Sequence, residues 1–166
     1  DEQTQNVLRY DAFYDQLTQL PNRNLFLEQL KLFLRRAQRD HADPFAVLYL
    51  DIDDFKEIND TLGHLTGDVF LVEAAQRLQS CLRPGDVVAR LGGDEFAMLL
   101  ESADQATALA VAERIQTAFK QPFSARRQCF DAAASIGIAL YTPDLIEAED
   151  TALLENADIA MYRAKG

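Results

Sequence analysis

An α/β domain, a mixed central β-sheet wrapped by helices, is the fold this sequence predicts, and three features predict it. The run Phe45-Ala-Val-Leu-Tyr-Leu50 is apolar on both faces, as a central strand covered from both sides must be. Val87-Val-Ala89 and Phe96-Ala-Met-Leu-Leu100 flank Gly92-Gly93, the pattern of two strands joined by a tight turn in which glycine supplies positive backbone dihedrals. Around these strands, apolar residues recur at helical spacing.

Taken in order, residues 1–14 carry sparse apolar positions (Val7, Leu8, Phe13) and read as a helical lead-in, the end of a helix arriving from an upstream domain. Residues 15–166 form the domain proper. Asp15 to Arg23 reads as a loop whose Asn22 caps the next helix, where Phe26, Leu30, Phe33 and Ala37 make one stripe before Asp43-Pro44. After the central strand, a short helix sets Phe55, Ile58 and Leu62 on one side, and Gly63 to Gly67 reads as a turn. The following helix carries Leu71, Ala75, Leu78 and Leu82 and stops at Arg83-Pro84-Gly85. Beyond the hairpin, a helix over about 104–119 turns Ala108, Val111, Ile115 and Phe119 inward. Phe123 to Leu140 is strand-like, and a last helix stripes Leu153, Ala157, Ala160 and Ala164. These stripes are core faces.

A chain of 166 residues, 48% hydrophobic and 26% charged, suits one domain with a substantial core. No apolar run approaches the ~20 residues of a membrane span, so no direct membrane contact is expected. No stretch of these residues reads as a secretory signal, and a chain opening on Asp1 is expected to be a piece of a longer protein. Cys81 and Cys129 read as reduced thiols of a cytoplasmic protein, with any membrane anchor left to the parent chain. The net charge of −11 argues against a nucleic-acid binder, which needs a basic footprint. It leaves room for a small polyphosphate that arrives with its own metal.

The chemistry gathers in two acidic groups, Asp51-Ile52-Asp53-Asp54 after the central strand and Asp94-Glu95 after the glycine pair. Acids are common at turns, where they are simply solvated. Carboxylates crowded at strand ends repel, however, and a divalent cation offsets that. Neither His41 nor His64 forms a ligand cluster with the other or with cysteine.

Together these motifs resemble the GGDEF family, the diguanylate cyclase domains. The match runs over nearly the whole chain: Asp15-Gln-Leu-Thr-Gln-Leu-Pro-Asn-Arg23, Asp51-Ile-Asp-Asp-Phe-Lys56, Asn59-Asp60, Gly63-His64, Gly67-Asp68, Gly92-Gly-Asp-Glu-Phe96, Ser135-Ile-Gly-Ile138, Ala157-Asp158 and Tyr162-Arg-Ala-Lys165. The resemblance implies a sheet like those of nucleotidyl cyclases and polymerase palms. It implies condensation of two GTP molecules into cyclic di-GMP with release of pyrophosphate, across a homodimer of facing domains. Each 3′-hydroxyl attacks the other nucleotide's α-phosphorus, a reaction that paired divalent metals serve well. Two Mg²⁺ or Mn²⁺ ions per site are therefore expected.

By resemblance, the Asp51 carboxylate and the Ile52 carbonyl bind metal, and Asp94 binds metal and helps deprotonate the hydroxyl. Glu95 either binds a second metal or orients the guanine-side loop. Asp53 supports the cluster or caps the next helix. Lys56 stabilises the pyrophosphate from a helix start, unless it is a solvated lysine, and Lys165 matches a second phosphate-binding lysine. Phe55, Gly92 and Gly93 line the substrate. Asn59 and Asp68 match guanine readers, since a carboxylate accepts from the guanine N1–H and N2–H₂ edge. His64 matches a further ligand contact, with turn stabilisation as its ordinary alternative. Arg83 and Asp86, with five residues between Asp86 and Gly92, match an inhibitory product site that Arg114 completes, and a helix-end salt bridge is the plainer reading.

Gln19 departs from the family's glycine and costs modest strain if its φ is positive. The family's arginine beyond Lys165 has no counterpart before the last residue, Gly166. An upstream sensory domain and a downstream phosphodiesterase are expected companions in the parent chain. The rival reading is a catalytically silent module that binds GTP or cyclic di-GMP and regulates a linked phosphodiesterase.

Overall fold

The computed structural model describes residues 2–40, 44–142 and 150–165. His41, Asp43 and Gly166 lie outside them. Helix α1 (Glu2–Phe13) buries no residue. Its end is tied to the following loop, where the Asn22 side chain donates to the Ala12 carbonyl at 3.0 Å and the Tyr10 hydroxyl to Gln19. Helix α2 (Arg23–Asp40) starts at the expected cap, with Asn22 Oδ1 accepting from the Leu25 N–H at 3.1 Å. Strand β1 (Phe45–Ile52) leads into α3 (Phe55–Leu62) and α4 (His64–Ser80), and a hairpin follows, β2 (Val87–Gly92) and β3 (Glu95–Leu100). Helix α5 (Gln105–Phe119), a small ribbon of β4 (Phe123–Ala125) and β5 (Gln128–Phe130), strand β6 (Ala134–Tyr141) and α6 (Asp150–Lys165) complete the order.

The main sheet runs β2-β3-β1-β6, and each of its ladders is antiparallel. The expected mixed sheet is thus corrected. The helical crossovers do return the chain parallel to the strand it left, but in each case another strand is inserted between the two. Strand β3 separates β1 from β2, and β1 separates β3 from β6, as in a split βαβ unit.

Strand alternation divides the core between the two faces. Ala46, Leu48, Leu50 and Ile52 meet α4 and α5, where Ala108, Val111, Ile115 and Phe119 are buried as their spacing predicts. Phe45, Val47 and Tyr49 meet α2 and α6. In α6 the buried set is Leu153, Leu154, Ala157 and Met161, while Ala164 is exposed.

Two local readings are also corrected. Gly63 (φ 94°) alone separates α3 from α4, and residues 64–67 form the first turn of α4 rather than a loop. Gly67 fits there because a Cβ would sit 1.9 Å from Asn59 Oδ1. Asp53 is not the cap of α3. That place falls to Asp54 (φ 57°), which makes no side-chain cap, while Asp53 Oδ1 accepts from the Ser135 hydroxyl at 2.8 Å. No helix among the described residues is long and apolar enough to cross a membrane.

Candidate active site

Register brings the acidic groups together. Asp51, near the end of β1, stands opposite Glu95 of β3 on one side and Ser135 of β6 on the other. By alternation all three share the face covered by α2 and α6. Asp94 sits in the β2–β3 turn, where its carbonyl accepts from the Ile52 N–H at 3.2 Å, stitching the turn to the end of β1. The turn itself needs its glycines, because Gly93 has φ 47° and Gly92 φ 151°. No atom lies within 4 Å of where their Cβ atoms would be, so the space over the turn is open.

The turn is braced from below. Arg90 donates through Nε to the Gly93 carbonyl at 2.9 Å and through Nη1 to Asp15 Oδ1 at 3.0 Å. Asp15 also accepts from the Thr18 N–H at 2.8 Å and the Thr18 hydroxyl at 2.7 Å. Burial alone would raise the Asp15 pKa. The Thr18 hydrogen bonds and the Arg90 charge outweigh it and hold the carboxyl below its ordinary value. Gln19 in this loop has φ 64°, the positive dihedral at which a side chain is strained.

Electrostatics within the acidic group are unbalanced. Burial, and then the facing Asp51 carboxylate, push the Asp94 pKa up to about 7. Asp51 Oδ1 is buried with no hydrogen-bond partner, while Oδ2 accepts from Lys165 Nζ at 2.5 Å. Glu95 accepts from the hydroxyl of Tyr49, a residue that reads in sequence only as core. The Tyr49 phenol is raised out of its ordinary range by burial and by Glu95. Among the described residues no three His, Cys, Asp or Glu side chains converge as a metal cage. Two carboxylates with an orphaned buried oxygen fit Mg²⁺ nonetheless, since that ion takes one or two protein carboxylates and completes its shell with water and phosphate oxygens.

The other candidates fall in two places. Phe55, Lys56 and Asn59 lie on α3, and His64 and Asp68 on α4, all around the Gly63 break. Lys56, His64 and Asp68 are exposed, whereas Asn59 Oδ1 is buried against Gly67 without a donor. The first turn of α3 has no side-chain cap, which leaves its N–H groups available. Arg83 and Asp86 lie before β2, at the opposite end of that strand from Asp94, ~20 Å away for a strand of this length. Arg83 Nε pairs with Asp86 Oδ2 at 3.2 Å, and Asp86 Oδ1 accepts from the Glu101 N–H at 2.9 Å. Arg114 Nη1 donates to the Cys81 carbonyl at 2.8 Å, so it borders the same loop.

Residues 12–166 match the family described as Diguanylate cyclase, GGDEF domain. The chain belongs to the GGDEF family. This GGDEF domain is 47% identical over 162 residues to the diguanylate cyclase TpbB of Pseudomonas aeruginosa, covering 95% of the chain and 36% of TpbB. It is 44% identical over 154 residues to the bifunctional diguanylate cyclase/cyclic di-GMP phosphodiesterase MucR of the same species, covering 93% of the chain and 22% of MucR. It thus spans about a third or less of the curated relatives it matches. The solved GGDEF domain of TpbB superposes with a TM-score of 0.85 at 46% identity, over 92% of this chain and 88% of that one. The palm-like fold that the motifs implied is therefore the fold of this GGDEF domain.

Proposed function

We propose that this GGDEF domain is an active diguanylate cyclase, joining two GTP into cyclic di-GMP with loss of two pyrophosphates. The observation that carries the reading is the pairing of Asp51 with Asp94 at adjoining strand ends, under an open glycine turn. When bound, Mg²⁺ or Mn²⁺, two ions per site, would supply charge neutralisation and in-line alignment for the attack. Asp51, the Ile52 carbonyl and Asp94 would hold it.

The remaining roles belong to the chain's own groups. Asp94, whose hold on a proton burial strengthens, receives the proton of the attacking 3′-hydroxyl. Glu95, steadied by Tyr49, orients the turn or holds the second ion. The uncapped N–H groups of α3 and Lys56 cradle the triphosphate, joined by Lys165. Phe55, Gly92 and Gly93 shape the substrate pocket, with His64 contacting the ligand at its edge. Asn59 and Asp68 read the guanine edge, and adenine is rejected because it leaves those polar groups unpaired. Arg83, Asp86 and Arg114 form the site where product inhibits. One domain holds one GTP, so two domains face each other, under control of a sensory domain joined through α1 in a cytoplasmic part of the parent protein.

The test is incubation at high protein concentration with GTP and Mg²⁺, followed by nucleotide analysis. Cyclic di-GMP is expected, and Asp94→Ala should lower its formation by at least ~10²-fold. GTP binding with no cyclic dinucleotide, even in a forced dimer, would establish the silent regulatory module instead.

A further inference from the structure

We propose that Lys165 is an exchangeable counter-cation of the acidic pair: it holds Asp51 until a divalent cation displaces it, and then serves the triphosphate that arrives with that cation. The inference rests on the cyclase reading and deepens it. Lys165 Nζ lies 2.5 Å from Asp51 Oδ2, with the lysine side chain 34% exposed and the aspartate 15%. The same carboxylate keeps Oδ1 buried and unpartnered. Lysine therefore satisfies only half of Asp51, and the other half is a better site for an ion than for a fixed donor.

The lever is built for exchange. The root of Lys165 is fixed, because α6 is anchored by Leu153, Leu154, Ala157 and Met161 and lies directly on Gly137, where a Cβ would come 2.0 Å from the Ala157 carbonyl. Its head is a compact point charge at the end of a flexible four-carbon stem in the last turn of the helix. An ammonium and a divalent cation on one carboxylate repel each other, so an ion entering at Oδ1 loosens the lysine's hold on Oδ2. Once displaced, the ammonium remains within its stem's length of the acidic pair, where phosphate oxygens bring negative charge. Metal alone therefore meets competition, whereas metal carried by a triphosphate does not.

The exchange predicts effects of opposite sign, which a merely structural lysine would not produce. Mn²⁺ binding is measured by electron paramagnetic resonance on the protein without nucleotide, and then with a non-reacting GTP analogue. Lys165→Met should tighten Mn²⁺ alone about fivefold, the upper end for an ion pair of this exposure. The same variant should weaken Mn²⁺–analogue binding, while Lys165→Arg stays near wild type with Mn²⁺ alone. Lys165→Gln repeats the test if the Met variant misfolds by circular dichroism. If neutral variants bind Mn²⁺ alone no tighter than wild type, while Asp51→Asn abolishes binding, the exchange is refuted and the metal site stands. If Asp51→Asn binds Mn²⁺ like wild type, the acidic-pair reading falls, and the exchange with it.

Discussion

At Asp15, one side chain carries the link between the entry loop and the Gly92–Gly93 turn, because its carboxylate is held by Thr18 and by the Arg90 that also grips Gly93. Since its folded pKa is lowered, its contribution is full above the ordinary carboxylate range and is lost as pH falls through the folded value. Asp15→Asn should therefore cost ~1–3 kcal/mol at pH 7, read as a lower melting temperature, and the gap to wild type should close in acid below the ordinary Asp pKa of ~3.9. A gap that stays constant down to strong acid would mean that the Asp15 charge does not matter. Asp94 stands in the opposite condition, with burial and Asp51 raising its affinity for a proton. Tyr49 is the site residue that sequence reasoning missed. It sits in an unbroken apolar run and reads as core, and only its cross-strand neighbour Glu95 gives the hydroxyl a purpose.

Helix α6 and strand β6 meet so closely that Gly137 has no room for a methyl group, with the Ala157 carbonyl and the Met161 N–H about where it would go (2.0 and 2.1 Å). Both neighbours are backbone and cannot rotate away. Gly137→Ala should push α6 off the sheet, costing ~1–3 kcal/mol in chemical denaturation. Because α6 carries Lys165, it should also weaken nucleotide binding measured by calorimetry, and an unchanged affinity would show that the helix position does not govern the site. The stripe Ala108, Val111, Ile115 and Phe119 was readable from its 3.6-residue period because α5 packs on one side only. The first turn of α4 was misread because Gly, His, Thr and Gly resemble loop chemistry. What makes that segment helical is the fit of Gly67 to Asn59 on a neighbouring helix.

Over the length of the domain, β2 joins two charged clusters of different character, the acidic pair at one end and the Arg83–Asp86 loop at the other. Asp86 is almost fully covered (1%) and Arg83 is 44% exposed, so the loop has a fixed acid and an accessible guanidinium. Arg83→Ala should relieve inhibition by added cyclic di-GMP while leaving the initial rate close to wild type. Loss of the guanidinium should cost ~1–3 kcal/mol, because the covered Asp86 carboxylate keeps only its backbone N–H donors. Inhibition at an unchanged product concentration would place regulation elsewhere.

Local patterning was enough to establish the layered α/β class, the capped α2, the hairpin and the two acidic clusters. Apolar period, capping side chains and paired glycines act over a few neighbouring residues and so leave their mark in the chain itself. Strand order, antiparallel direction and the reach of Lys165 across 114 positions to Asp51 depend on which faces pack together in three dimensions. Burying both sheet faces at once selects that arrangement, and no short window of sequence contains both partners.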